Sequence, residues 1–355
     1  MSQATLTISA PALRRFILDA LLAVGMPPAA AETVTDVLAT ADEFGVSTHG
    51  VKLLPAYMGR LLAGGARPNA QPSIIREGPA WALVDGDSGL GPQAGVFGMQ
   101  TAIAKAATAG IAYVGVRNGG HFAAIGYYSL LAAKAGLVGI SVANDIPSVV
   151  APGARRAVLG TNPFSYAIPA GKHPPILLDM ATSTVAGGKV YQARQLGHPI
   201  PDNWIVGLDG LPTTNVELYP EQAALVPAGS YKGFGLALLV EGLAGLLSGA
   251  AVTYEIASWM ATGPDQPTRH GAAFIAIDPA IVGPREEFLA RVDALIDQIH
   301  AVPTVASVDR VMVPGDREFE HQRAAQHHPL VLSPDVAQNV RMAAEMMGIE
   351  LDNYL

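Results

Sequence analysis

Apolar positions recur along this chain with two periods, and the change of period divides it. Between 12 and 24, Leu13, Phe16, Ile17, Leu21 and Leu22 fall on one stripe of a 3.6-residue repeat, which predicts an amphipathic helix ended by Gly25. Pro27-Pro28 opens a second helix that runs to about Phe44. A third is expected near Ser47 or Thr48, either of which can cap it. Pro68 and Pro72 mark an extended linker. From Trp81 the apolar runs shorten. The stretches 81–85, 111–116, 137–142 and 176–178 read as strands, with helices at 97–107 and 123–135 among them. That alternation predicts an α/β body, interrupted by Pro-rich loops at 163–175 and 199–212. Helical periodicity returns at 286–300, with Phe288, Val292, Leu295 and Ile296 as its apolar face, and again at 334–347 before Gly348. The expectation is a helical domain built from both chain ends, 1–75 plus 285–355, around a body at 76–284 that can itself divide in two.

Composition narrows this picture. The longest apolar run, 233–252, contains Glu241 and five glycines at 233, 235, 242, 245 and 249, so it reads as a buried core helix rather than a membrane span. Hydrophobic residues make up 50% of the chain and charged residues 15%, a balance that predicts more buried surface than one monomer needs, hence an oligomer. With no Cys, disulfides, thiolate metal sites and Cys nucleophiles are excluded. A net charge of −8 without a basic stripe argues against nucleic acid. The first residues lack the charged-then-apolar pattern of a secretory leader, so a soluble cytoplasmic protein is the expectation. His321, His327 and His328 have no ordered ligand spacing and read as a His-rich helix C-terminus, so no metal is expected.

Three residues carry candidate chemistry. His49 follows two hydroxyls, Ser47 and Thr48, and has an acid seven residues before it, at Asp42. His121 lies in a Gly-rich turn, and Asp179 ends an apolar strand. Imidazole gives and takes protons near neutral pH. A competing signal, Gly89-Leu90-Gly91-Pro92-Gln93-Ala94 between a strand and a helix, matches a loose dinucleotide fingerprint. The acid that should follow about 20 residues later is missing; strand 111–116 leads into Arg117-Asn118 instead, with Arg117 readable as a 2′-phosphate clamp. An ordinary strand–turn–helix is the preferred reading.

Seven motifs in order make the chain resemble the type-2 malate/L-lactate dehydrogenase family, with its ureidoglycolate, sulfolactate, diketogulonate and cyclic-ketimine members. They are Asp42-x-x-Gly45-x-x-x-His49-Gly50-Val51, Gly120-His121-Phe122, Gly160-Thr161-Asn162-Pro163, Leu178-Asp179-Met180-Ala181-Thr182-Ser183, Gly188-Lys189-Val190, Pro199-Ile200-Pro201-x-x-Trp204 and Tyr231-Lys232-Gly233-Phe234-Gly235-Leu236. The resemblance implies a non-Rossmann mixed sheet, NAD or NADP as cofactor, and a homodimer or higher oligomer with the active site near the subunit boundary. It also implies hydride transfer at C2 of a 2-oxo or 2-hydroxy acid, or alternatively of a cyclic imino acid. A third reading is a cofactor-binding protein that has lost catalysis.

Hydride arriving at a carbonyl carbon leaves negative charge on oxygen, so a proton donor is needed there. His49 and His121 are the two candidates. His49 is preferred because the resemblance pairs it with Asp179, which would orient the imidazole and stabilise its protonated form. The resemblance also places the backbone of Asp179-Met180-Ala181 along the nicotinamide, Lys232-Gly233 at a phosphate, Arg291 at the adenosine end, and Thr161 with the substrate. Asp145 falls at another cofactor position, where an acid is less expected. Two departures stand out. Thr48 replaces the family's Ser, and Leu53 replaces the Arg whose guanidinium would fork onto the substrate carboxylate. Lys52 is adjacent, either as a partial substitute without the bidentate grip or as a solvent-facing Lys.

Overall fold

The computed structural model describes residues 5–260 and 263–355. Residues 1–4, where the segment read as lacking a leader begins, lie outside the described residues. The body is a seven-stranded mixed sheet in the order Ser73–Gly78, Trp81–Asp85, Ile111–Gly119, His270–Ile277, Val138–Ala143, Phe164–Ile168, Ile176–Met180. Trp81–Asp85 runs parallel to Ile111–Gly119, while the central strand His270–Ile277 is antiparallel to both neighbours. The helix Gly91–Ala109 makes the crossover between the two parallel strands. Its small residues let it approach closely: a Cβ at Gly98 would lie 2.7 Å from the Phe274 ring, and one at Gly95 2.6 Å from Tyr128. The glycines that mimic a dinucleotide fingerprint have the same packing role. A Cβ on Gly91 would sit 2.3 Å from the His121 carbonyl oxygen, and Arg117 pairs with Asp85.

The chain ends meet. Leu6–Ile8 pairs antiparallel with Leu330–Leu332, and Phe16, Leu38, Leu54, Met58, Val336 and Val340 share one core that continues to the sheet through Met99, Val114 and Phe274. The helix Arg285–His300 behaves differently from the other terminal helices. Its Val292 and Ile296 pack with Ile176, Tyr166 and Ile168 at the far edge of the sheet. A second, five-stranded sheet (Val149–Val150, Ala157–Leu159, Ile205–Gly207, Pro212–Thr213, Ala223–Leu225) has its own small core around Val149, Val190, Ile205, Tyr219 and Leu225.

The structure corrects the periodicity at several points. Phe164–Ile168 and Ile205–Gly207 are strands inside stretches read as Pro-rich loops, because each finds pairing partners on both sides. The central strand His270–Ile277 was not anticipated at all. The run at 233–252 is not a buried core helix. It forms the helix Tyr231–Val240, continued by a π-helical turn at Glu241–Leu246. Ala237, Val240 and Ala244 face inward, but Leu238, Leu239, Leu246 and Leu247 are exposed, the last two at 69% and 62%. Glu241 is buried and accepts hydrogen bonds from Asn162 Nδ2 at 2.8 Å and Thr253 N at 3.0 Å. No helix among the described residues is long and apolar enough to cross a membrane.

Candidate active site

The His49 turn is built from the end of the helix Pro28–Glu43. The buried Asp42 carboxyl accepts the Val51 N–H at 2.7 Å. Gly50 passes so close that a Cβ there would lie 2.3 Å from that carboxyl. The acid seven residues before His49 and the glycine after it therefore lock one tight turn. Burial pushes the Asp42 carboxyl up to about 8, against the opposing Val51 hydrogen bond, so it is a protonated structural group. The expected helix start at Ser47 or Thr48 is thereby corrected: the turn leads into a 3-10 segment, Val51–Leu53, before the helix Leu54–Ala63. Lys52 and Leu53 accordingly do not sit on an α-helical face with His49. The Thr48 hydroxyl lies 2.8 Å from His49 Nδ1 and fixes the ring from one side.

The second imidazole arrives from the turn after Ile111–Gly119. The Tyr57 hydroxyl lies 2.9 Å from His121 Nδ1 and 3.0 Å from the His121 carbonyl oxygen. Trp259 stacks on the His121 ring at 4.0 Å between centroids, and the His49 ring is 5.9 Å away and inclined by 25°. Burial pushes His121 down to about 3 and lowers His49 as well; Asp145 opposes the shift on both. Both rings are therefore neutral at neutral pH. Asp145 is the acid of this cluster. Its Oδ1 accepts hydrogen bonds from Ile146 N at 2.8 Å, His270 Nε2 at 3.1 Å and Trp259 Nε1 at 3.2 Å. Burial opposes its ionisation, but the His270 hydrogen bond and the neighbouring imidazoles outweigh that and hold the carboxyl below its ordinary range.

Asp179 ends the edge strand Ile176–Met180, and its Oδ2 accepts the Gly126 N–H at 2.7 Å where the helix Gly126–Lys134 begins. The expected Asp179–His49 hydrogen bond is therefore not the arrangement found, because the carboxylate is committed to a helix N-terminus. Water reaches Asp179 through the cavity, yet protein atoms enclose it. That enclosure pushes its carboxyl up to about 6, with Gly126 opposing and Glu318 adding to the rise.

These groups share a wall. His49, His121, Asp145, Thr161, Asp179, Met180 and Ala181 line a cavity of about 280 Å³, together with Lys189 and Glu318. An adjoining cavity of about 820 Å³ shares Thr48, His49, His121, Asp145 and Thr161 with it, and adds Lys52, Leu53, Arg155 and Arg156. The pair forms an elongated space with an imidazole-lined middle and cations along one arm, which fits an extended phosphate-bearing cofactor beside a small substrate. Three expected cofactor residues are not lining residues of either cavity. Lys232 is exposed at the start of the helix Tyr231–Val240, and Arg291 is exposed on Arg285–His300. Gly233 is needed for packing, since a Cβ there would meet the Thr182 carbonyl oxygen at 2.5 Å. Leu53 is buried in the core, and Lys52 Nζ is paired with Asp335 at 2.6 Å. Lys52 is thus neither a solvent-facing Lys nor a free cation. His270, Trp259 and Tyr57 escaped sequence reasoning. The one available signal was the apolar run 272–277 behind His270, ended by Asp278-Pro279.

Neutral imidazoles and a carboxylate on an elongated cavity are suited to moving protons beside an extended ligand. A sequence model described as malate/L-lactate dehydrogenase matches residues 8–341. A malate dehydrogenase of Pyrococcus horikoshii is 35% identical over 94% of this chain and 94% of its own length. A Pseudomonas putida Δ1-pyrroline-2-carboxylate/Δ1-piperideine-2-carboxylate reductase is 32% identical over 91% of this chain and 92% of its own. The solved structure of sulfolactate dehydrogenase from Methanocaldococcus jannaschii superposes with a TM-score of 0.90 at 31% identity, covering 98% of this chain and 99% of that one. The chain belongs to the malate/L-lactate dehydrogenase family. It is a nicotinamide-dependent oxidoreductase with that family's mixed α/β fold.

Proposed function

We propose that the protein transfers hydride between NAD or NADP and C2 of a small 2-oxo or 2-hydroxy acid, with His49 and His121 handling the proton. The observation that carries this reading is the convergence of two neutral imidazoles, 5.9 Å apart, on one cavity wall beside Asp145. In the oxidative direction a neutral imidazole accepts the substrate hydroxyl proton as C2 gives up its hydride. The imidazolium so formed is favoured by the Asp145 carboxylate. In the reductive direction the same ring returns the proton to the oxygen. The bound nicotinamide supplies the hydride acceptor or donor. Met180, Ala181 and Thr161 would flank its ring, and Arg155 and Arg156 would face its phosphates. Assays with 2-hydroxy and 2-oxo acids and both cofactors, read at the reduced-nicotinamide absorbance, test the proposal. Turnover with at least one acid is expected; no turnover together with no cofactor binding overturns it.

A second reading, reduction of the C=N bond of a cyclic imino acid, is supported by the similarity to the Pseudomonas putida Δ1-pyrroline-2-carboxylate/Δ1-piperideine-2-carboxylate reductase. A homodimer fits the apolar face presented by Leu238, Leu239, Leu246 and Leu247. Light scattering should give twice the chain mass, and Leu246→Glu with Leu247→Glu should shift it toward the monomer. An unchanged mass would move the interface elsewhere.

A further inference from the structure

The Asp145 carboxylate has a use that proton handling does not exhaust. All three of its hydrogen bonds among the described residues fall on Oδ1, which leaves Oδ2 open on a residue that lines both cavities. Two of the donors that hold it, Trp259 Nε1 and the Ile146 backbone, carry no charge, and the third is the His270 ring. Its Nε2–H donates to Asp145, while its Nδ1 lies 2.9 Å from the Thr268 hydroxyl, which can donate to it; the alternative acceptor for that hydroxyl, the Gly119 carbonyl, is farther away at 3.5 Å. The two imidazoles nearest the substrate position, His49 and His121, also bring no fixed positive charge. In the smaller cavity the charged side chains are Asp145, Asp179 and Glu318 against Lys189 alone. At the position where the resemblance expects a guanidinium stands Leu53, and the neighbouring Lys52 is occupied by Asp335.

A rigid carboxylate with one open oxygen beside two neutral rings is a site for a cation, and it disfavours a second negative charge on the ligand. Resting on the hydride-transfer reading above, we propose that Asp145 is a specificity-determining residue that binds a protonated nitrogen attached to the reacting carbon, so that the preferred ligands are cyclic amino and imino acids rather than hydroxy acids. The ammonium or iminium N–H donates to Asp145 Oδ2. The ligand carboxylate points away from this acid. A hydroxyl or carbonyl oxygen at the same place brings no charge for Asp145 to pair with.

Calorimetric titration in the presence of oxidised cofactor tests this, using pairs of ligands that differ only in the ring atom: L-proline against tetrahydrofuran-2-carboxylate, and L-pipecolate against tetrahydropyran-2-carboxylate. A charged hydrogen bond of this kind predicts that the wild-type protein binds the amine roughly 10- to 100-fold more tightly than its ether twin. Asp145→Asn keeps the acceptor for His270 and Trp259 but loses the charge, and should bring the two ligands within a few-fold of each other. Equal binding of amine and ether by wild type, or binding of neither, overturns the proposal, and that comparison stands even where the variant fails to fold. A variant that keeps the amine preference while losing affinity for oxidised but not reduced cofactor also overturns it, and would make Asp145 a counter-ion of the nicotinamide. Turnover assays separate the two readings. Oxidation of hydroxy acids without amine selectivity sinks the Asp145 assignment and leaves hydride transfer standing. Amine-selective binding without any turnover does the reverse.

Discussion

Two aspartates line the smaller cavity and behave differently. Asp145 is held by three donors, among them two ring N–H groups, and stays ionised despite its burial. Asp179 is held by a single backbone N–H, and its carboxyl rises to about 6. Enclosure by protein raises both carboxyls; at Asp145 the His270 hydrogen bond and the imidazole cluster outweigh it, whereas at Asp179 the single Gly126 N–H does not and Glu318 adds to the rise. The acid that the family motif advertises is therefore a positioning group for the helix Gly126–Lys134. The acid that biases the imidazoles is one that no motif marks.

The largest effect should come from the imidazoles. His49→Ala and His121→Ala should each lower turnover by about 10²-fold or more, with fold and cofactor binding intact by circular dichroism and fluorescence. Near wild-type turnover in either variant would remove that ring from proton transfer. Next comes the turn that aims His49. Gly50→Ala forces a Cβ into the Asp42 carboxyl, 2.3 Å away, and should cost about 1–3 kcal/mol of stability by thermal or urea unfolding. An unchanged midpoint would show that the turn relaxes freely, and the link between Asp42 and the His49 position would fail.

The alternation of strands and helices, the helices from both ends and the two histidines were legible in the sequence, because each rests on a local pattern or a local motif. What was missed has one physical cause: it depends on pairing between distant segments. The strand His270–Ile277 is an apolar run whose place is set by the strands on either side of it, and it delivers His270 to Asp145. Phe164–Ile168 is hidden among prolines for the same reason. The run at 233–252 was misread because composition cannot tell which side of a helix faces the sheet. Here Ala237, Val240 and Ala244 face in, and Leu238, Leu239, Leu246 and Leu247 face out. Lys232 and Arg291 came from the resemblance alone, and one chain does not bring them to the cavities.

A smaller effect is expected at Asp179. Its carboxyl is ionised above about pH 6 and protonated below, so its negative charge is lost as the pH falls through this value. The kcat/KM for hydroxy or amino acid oxidation in wild type should drop several-fold across that limb, and Asp179→Asn should flatten it, because kcat/KM reports the ionisations of the free enzyme. A variant with the limb intact would assign it to another group. His49 and His121 are the alternatives, although burial lowers both.

The smallest effect should follow from Lys52→Met, and it bears most directly on substrate choice. Lys52 lines the larger cavity, but its ammonium is 2.6 Å from Asp335, and the pair ties the 3-10 segment Val51–Leu53 to the C-terminal helix Pro334–Met347. Both side chains are partly exposed, so the pair should contribute about 1 kcal/mol or less. If the pair is only a tie, unfolding shifts slightly and KM for any acid is unchanged. If Lys52 leaves Asp335 to hold a substrate carboxylate, KM rises while kcat holds, since uniform binding would have been lost. Measuring Asp335→Asn beside it separates the cases. A tie makes the two variants alike, whereas a carboxylate-binding Lys52 is freed by Asp335→Asn, and KM then falls. Unchanged KM in both variants leaves Lys52 out of substrate binding.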